Sequence, residues 1–146
     1  MSALTERGQE FSELLAEVYR VNGLLFSAEE SLARQAGLTG TRWQVLGVVG
    51  HGRVTVAQVA RAIGMTRQGV RETVASLVSL GMVSQRDNPH DRRARQLVLT
   101  SRGRAALRSV ERRQAAWVNQ VAARTTLTDL RAATGILRDV GDLLDS

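Results

Sequence analysis

The chain has 146 residues, 43% apolar and 23% charged, the balance of a globular domain with a core of its own. It contains no Cys, which excludes disulfides, thiolate metal sites and cysteine-based redox switching, and no apolar run reaches the ~18 to 20 residues that span a bilayer. The net charge of +6 is segregated and its cations are all Arg: His51 to Arg113 carries 13 Arg against 4 acids (net +9), the remainder 7 Arg against 10 acids (net −3). A positive middle between mildly acidic ends is the footprint of a face that binds a polyanion. The opening MSALTERGQEF is charged where a signal peptide needs an apolar stretch, so a cytoplasmic location is expected.

In chain order, Phe11, Leu14, Leu15, Val18, Leu25, Ala28 and Leu32 recur at spacings near three and four. They predict an amphipathic helix from about Thr5 to Gln35, ended by Gly37. A second helix carries Trp43, Val45, Leu46, Val48 and Val49 and ends at Gly50 to Gly52. Either Thr39 or Thr41 can cap it, and Thr41 with Gln44 fits a capping box. Thr55 and Gln58 form the same pattern at the start of a third helix, with Val56, Val59, Ala60 and Ile63 on one face.

Gly64 ends that helix and Thr66 is a good N-cap for the next, which is expected to bury Val70, Val74, Leu77 and Val78 and to end at Gly81. Two short helices joined by a tight Gly-containing turn make a helix-turn-helix. Arg67, Gln68 and Arg71, with Glu72, fall on the face opposite the valines, where Arg can pair with a guanine edge and Gln with an adenine. After Gly81 the period changes. Met82 to Arg86 and Gln96 to Thr100 read as strands, and Asn88-Pro89 marks the turn between them. A β-hairpin directly after a helix-turn-helix is a wing. Its tip concentrates Arg92, Arg93 and Arg95, with Arg86 at its base, and the negative potential of a minor groove attracts such side chains. Asp91 stands two residues before Arg93 and can hold its guanidinium in a bidentate pair.

These residues carry a family resemblance over nearly the whole chain. Leu38-Thr39-Gly40-Thr41-Arg42-Trp43-Gln44-Val45-Leu46, Gly81-Met82-Val83-Ser84-Gln85, Pro89-His90-Asp91-Arg92-Arg93-Ala94 and Leu99-Thr100-Ser101-Arg102-Gly103 resemble the MarR-family winged-helix regulators. Arg42 replaces the family's usual Gln, and Gln85 its usual Arg. The resemblance implies a mainly α fold with a small β-hairpin wing: a winged helix-turn-helix with N- and C-terminal dimerisation helices. The boundaries expected are 1–37 for the first dimerisation helix, 38–103 for the DNA-binding domain and 104–146 for the last helices. It implies Thr66, Arg67, Gln68 and Arg71 as the recognition-helix residues, Arg86, Asp91, Arg92, Arg93 and Arg95 as the wing residues, Arg93 at the minor groove and Asp91 as its orienting partner.

The ends fit a homodimer. One helix is expected from Ser101 to Arg124, with Leu107, Val110, Trp117, Val118 and Val121 on one face. Another is capped by Thr128 and carries Leu130, Ile136, Leu137, Val140, Leu143 and Leu144. A twofold dimer implies a pseudo-palindromic operator on double-stranded DNA, with half-sites ~34 to 36 Å apart. By resemblance the protein is a repressor released by a small, aromatic effector. Trp43 then either contacts that effector or anchors the second helix in the core. All five aromatics (Phe11, Tyr19, Phe26, Trp43 and Trp117) lie outside the basic segment, which disfavours single-stranded nucleic acid. His51 and His90 have no metal-ligand spacing and no nucleophile partner, and no Gly-rich loop follows a strand. Neither an enzyme nor a cofactor or metal site is expected. A non-specific architectural DNA binder and a winged-helix protein-interaction module are the alternative readings.

Overall fold

A computed structural model describes residues 3–146. The element order is α1 (Glu6–Gln35), α2 (Gly40–Val49), α3 (Val56–Ile63), α4 (Arg67–Ser79), β1 (Val83–Arg86), β2 (Gln96–Leu99), α5 (Ser101–Ala122) and α6 (Leu127–Leu144). The strands form one antiparallel pair, with Val83 opposite Leu99 and Arg86 opposite Gln96. The fold is the mainly α winged helix-turn-helix that the sequence predicts. The chain divides into two compact units, Met1–Glu111 and Arg112–Ser146, with α5 running through the division.

In the first unit α2 is the central element, touching α1, α3, α4 and β2. Its Val45, Leu46 and Val49 are buried with Val59 and Ala60 of α3 and Val70, Val74 and Leu77 of α4. Leu97 and Leu99 of β2 and Leu107 and Val110 of α5 close this core, so the wing's base is seated on it and does not hang free. The amide of Leu97 also donates to the carbonyl of Val54 at 2.7 Å, a one-residue bridge that ties the turn after α2 to the wing.

The helix ends follow from their caps. Thr39, not Thr41, caps α2: its hydroxyl accepts from the Arg42 amide at 3.1 Å, and the Glu30 carboxylate accepts from the Gly40 amide at 3.1 Å. A carboxylate from α1 thus satisfies a second orphan donor of α2, a contribution that local sequence does not reveal. The Thr55–Gln58 capping box of α3 is complete. Gly64, at φ +69°, makes the tight left-handed turn that lets α4 start at once under the Thr66 cap. On α4 the apolar stripe is narrower than expected. Val70, Val74 and Leu77 are buried, but Val78 is 41% exposed, because it sits one position past Leu77 and rotates off the core face.

Arg42, the departure from the family pattern, spans two helices. Its Nε donates to Ser76 Oγ of α4 at 3.1 Å.

The second unit comprises the end of α5, a turn and α6. Thr126 caps α6, accepting from the Asp129 amide at 3.1 Å, where Thr128 was expected. Starting at Thr126 puts Asp129 in the first turn, where the helix dipole favours an anion; starting at Thr128 would put Arg131 at the equivalent place. No residue of α6 is buried.

The Thr55 box gives a direct stability prediction. Thr55→Ala removes one half of a reciprocal pair on a helix that lines the core. It is expected to cost ~1 kcal/mol and to lower the melting temperature by ~2 to 4 °C. Gln58→Ala, which leaves the hydroxyl contact to the helix amide in place, should cost less. Thermal melts of both variants at one protein concentration check the ordering.

Candidate nucleic-acid interface

The sequence places its recognition residues on α4 and its wing residues on a separate hairpin. The fold brings four of their arginines to one groove. Arg67 and Arg71 from the first two turns of α4, and Arg93 and Arg95 from the wing, line a concavity of about 360 Å³. Thr66 does not line the groove; exposed at the start of α4, it acts as the cap, with its hydroxyl accepting from the Gly69 amide at 3.0 Å. Gln68 points its amide at Glu72 across a long 3.4 Å contact and does not line the groove; nor do Arg86 and Arg92, which are exposed.

The wing tip has its own internal order. Buried Asn88 accepts from the His90 amide at 3.0 Å through its side chain and from the Asp91 amide at 3.3 Å through its carbonyl. Asp91 Oδ1 then accepts from the Arg93 backbone amide at 2.9 Å, and its carbonyl accepts from the Ala94 amide at 3.2 Å. Asp91 therefore engages Arg93 through the main chain and not through the guanidinium pair expected from the spacing. The reason is local: the carboxylate of residue i reaches the amide of residue i+2 without ordering the long Arg side chain, the ordinary geometry of an Asx turn. Among the described residues the Arg93 guanidinium has no ion-pair partner.

Arg95 is held differently. Its guanidinium donates to the Gln85 side chain at 3.4 Å and to the Gln85 carbonyl at 3.3 Å. These are long contacts, individually weak. Gln85, where the family pattern has Arg, thus supplies an acceptor that an Arg could not, and it lines the same groove.

Part of the lining comes from outside α4 and the wing. Thr55, Val56 and Ala57, the N-terminus of α3, face the same groove. A helix N-terminus carries partial positive charge and free amide donors, so it adds to the arginine field. The available signal was the Thr55 capping box, which fixes where α3 starts; what it could not reveal is that this start lies beside the wing.

The groove carries an excess of positive charge, four arginines to one acid. Among the described residues no ion pair engages Arg67, Arg71, Arg93 or Arg95; Asp91 is the one acid in the lining. Trp43 is half-buried and packs against the core at the start of α2, away from this groove. No group of three His, Cys, Asp or Glu among the described residues is placed to hold a metal ion.

Known proteins match this architecture. A model of the MarR family matches residues 36–94, from the end of α1 through the wing tip. The chain is 38% identical over 129 residues to the uncharacterized protein Rv2011c of Mycobacterium tuberculosis, a match covering 88% of this chain and 90% of that one. Its fold is similar to that of Sco3205, a MarR family transcriptional regulator from Streptomyces coelicolor solved in complex with DNA. That comparison has a TM-score of 0.81 and 23% identity, and covers 100% of this chain and 92% of the other. CouR from Rhodococcus jostii, solved bound to p-coumaroyl-CoA, is similar with a TM-score of 0.72 and 22% identity over 84% of this chain and 87% of that one. The wing motif and the helix-turn-helix both fall in the segment that the MarR family model matches, residues 36–94, and over that segment the chain is of the MarR type.

Proposed function

We propose that this chain is a homodimeric transcriptional repressor that binds double-stranded DNA at a pseudo-palindromic operator. The observation that carries the reading is the convergence of Arg67, Arg71, Arg93 and Arg95 on one groove with no ion pair to neutralise them. An excess of like charge is unfavourable in the free protein and becomes favourable against phosphates, which makes the site selective for a polyanion. Arg67, Gln68 and Arg71 project from an exposed helix face suited to base edges of the major groove. Arg92, Arg93 and Arg95, with Arg86 at the hairpin's base, serve the phosphates and the adjacent minor groove.

Release by a small aromatic effector is part of the proposal. CouR, which shares the fold, was solved with p-coumaroyl-CoA, and the start of α2 around Trp43 offers an aromatic wall. An effector weakens DNA binding only as far as it prefers a dimer whose recognition helices are wrongly spaced. No helix among the described residues is long and apolar enough to cross a membrane, and a cytoplasmic location follows from the proposed partner.

Selection from random duplex DNA, followed by affinity titrated against salt, tests the reading. Enrichment of an inverted repeat, with affinity falling steeply as salt rises, is the expected result. Salt-dependent binding with no enriched sequence would replace it with an architectural role, and no duplex binding at all would leave the wing for a protein partner. On the selected operator, Arg93→Ala is expected to weaken binding by ~1 to 3 kcal/mol, the range of a desolvated groove contact. Unchanged affinity at moderate salt would remove the wing tip from the mechanism.

A further inference from the structure

Along α4 the exposed residues Gln68, Glu72, Ala75 and Ser79 recur at helical spacing and form one stripe. Gln68 and Glu72 each stand two residues from buried Val70, which is about 200° around the helix, so this stripe is the crest that points away from the core. Arg67 and Arg71 lie to one side of it, on the flank that faces the wing, and Gln68 and Glu72 take no part in that groove. Ala75 and Ser79 are short, so the long side chains of the crest are Gln68 and Glu72, and one of them is an acid. Gln68 Nε2 donates to Glu72 Oε1 at 3.4 Å, a long contact that sets the two side chains side by side. Among the described residues Glu72 forms no ion pair, although Arg71 is its neighbour in the chain.

A carboxylate in this place needs a particular partner. Against phosphates it is repelled, and it lowers the affinity that the neighbouring arginines supply. Against the edges of the bases the outcome depends on the base. Guanine offers the acceptors N7 and O6, and thymine the acceptor O4, all of which repel an acceptor-only carboxylate. Adenine offers a donor at N6 but sets the acceptor N7 beside it. Cytosine offers the N4 donor with no acceptor of its own beside it in the major groove. Gln68 occupies one carboxylate oxygen of Glu72, which leaves Oε2 for the base.

We infer that Glu72 is a specificity-determining residue that reads cytosine, accepting from its N4 amine at one position of each half-site. The inference rests on the operator reading proposed above and deepens it. The arginines of the groove attract every duplex, and the acid on the crest sets a penalty against the wrong ones.

Selection from random duplex DNA is run in parallel on the full chain and on its Glu72→Gln and Glu72→Ala variants. The binding of each is then measured on the selected operator with all four bases placed in turn at every position. Glu72 is exposed, so both variants should fold as the parent does, which their thermal melts verify. The parent is expected to prefer cytosine by about tenfold or more at one position of each half-site. Glu72→Gln should move that single preference to adenine, because a carboxamide can donate to N7 while accepting from N6, and Glu72→Ala should abolish it. Both variants should bind unrelated duplex more tightly than the parent, since each removes a negative charge. The same preferences at every position in all three proteins would overturn the inference and leave the operator reading standing. So would a parent preference for a base other than cytosine at the position the variants change. Variants that tighten on every sequence alike would also overturn it, because Glu72 would then be a charge that only opposes phosphates. A parent chain that enriches no motif would overturn the operator reading and the inference together.

Discussion

Gly103→Ala is expected to destabilise the protein by ~2 to 3 kcal/mol, although it places the best helix former in a helix. Gly103 is buried in the first turn of α5, where the helix passes directly over the entry to the wing. A Cβ there would collide with the carbonyl oxygen of Met82 and stand 2.9 Å from its carbonyl carbon and 3.2 Å from its Cα. Those atoms are backbone, so no side-chain rotation relieves the clash. The same Met82 carbonyl accepts from the Thr100 amide at 3.1 Å, while Thr100 Oγ1 donates to the Gly81 carbonyl at 2.6 Å and accepts from the Gly103 amide at 3.0 Å. Lifting α5 away from Met82 would break this set. Overpacking costs ~1 to 3 kcal/mol and each lost hydrogen bond ~1 kcal/mol, against a helix-propensity gain of ~1 kcal/mol. The close approach wins. Gly47→Ala is the control, since nothing stands within 4 Å of a Cβ at that helical position. It should be neutral or stabilising by up to ~1 kcal/mol. Thermal melts at matched protein concentration should separate the two variants by ~5 to 10 °C. If Gly103→Ala melts no lower than Gly47→Ala, the packing of α5 against Met82 is not as tight as described.

That contact gives a physical reason for the Leu99-Thr100-Ser101-Arg102-Gly103 stretch: a Thr that closes three hydrogen bonds between hairpin and helix, and a Gly where the helix backbone meets the strand entry. The stretch was legible as a pattern, and its mechanism was not. The same division runs through the rest of the chain. Gly64 with Thr66 marks the turn of the helix-turn-helix, and Asn88-Pro89 marks the wing, because each depends on the chemistry of neighbouring residues. The choice between Thr39 and Thr41 depended on Glu30, ten residues from Gly40, and local patterns carry no such information. Asp91 reads as the partner of a guanidinium because charge pairs are conspicuous in sequence, whereas the Arg93 amide that it engages has no letter of its own. Individual arginines were legible as DNA-binding candidates. Their meeting with one another and with the start of α3 was not, since it depends on how the hairpin seats on the core through Leu97 and Leu99.

Ile136→Asp combined with Leu137→Asp is expected to convert the protein to monomers and to weaken operator binding by ~100-fold to 10,000-fold. On α6, Leu130, Ile136, Leu137, Leu143 and Leu144 are 40 to 74% exposed, and at the end of α5 Val118 and Val121 are 44% and 50% exposed. Apolar surface of this extent on two adjacent helices is what the proposed homodimer would cover. A large side chain yields ~1.5 to 3 kcal/mol when fully buried, so half-exposed positions have ~1 kcal/mol each left to gain. Two copies of α6 alone would gain about 10 kcal/mol on that basis, comparable with the ~4 to 15 kcal/mol that association costs. In the proposed dimer the α6 face alone is therefore marginal, and the exposed Val118 and Val121 at the end of α5 would add to it. Marginality of this kind is why two adjacent carboxylates suffice. Each buried unpaired charge costs several kcal/mol, and twofold symmetry places four in one interface. Since no α6 residue is buried within the chain, the substitutions should leave the first unit folded, and circular dichroism should report unchanged helicity. Sedimentation should give the monomer mass at micromolar concentration. On duplexes carrying a single half-site the variant should bind as the parent does, while on the full inverted repeat its affinity should collapse toward the half-site value. A variant that stays dimeric would place the dimer contacts elsewhere in the chain. A monomer that still held the full operator tightly would remove the need for two-fold recognition and leave each winged helix to act alone.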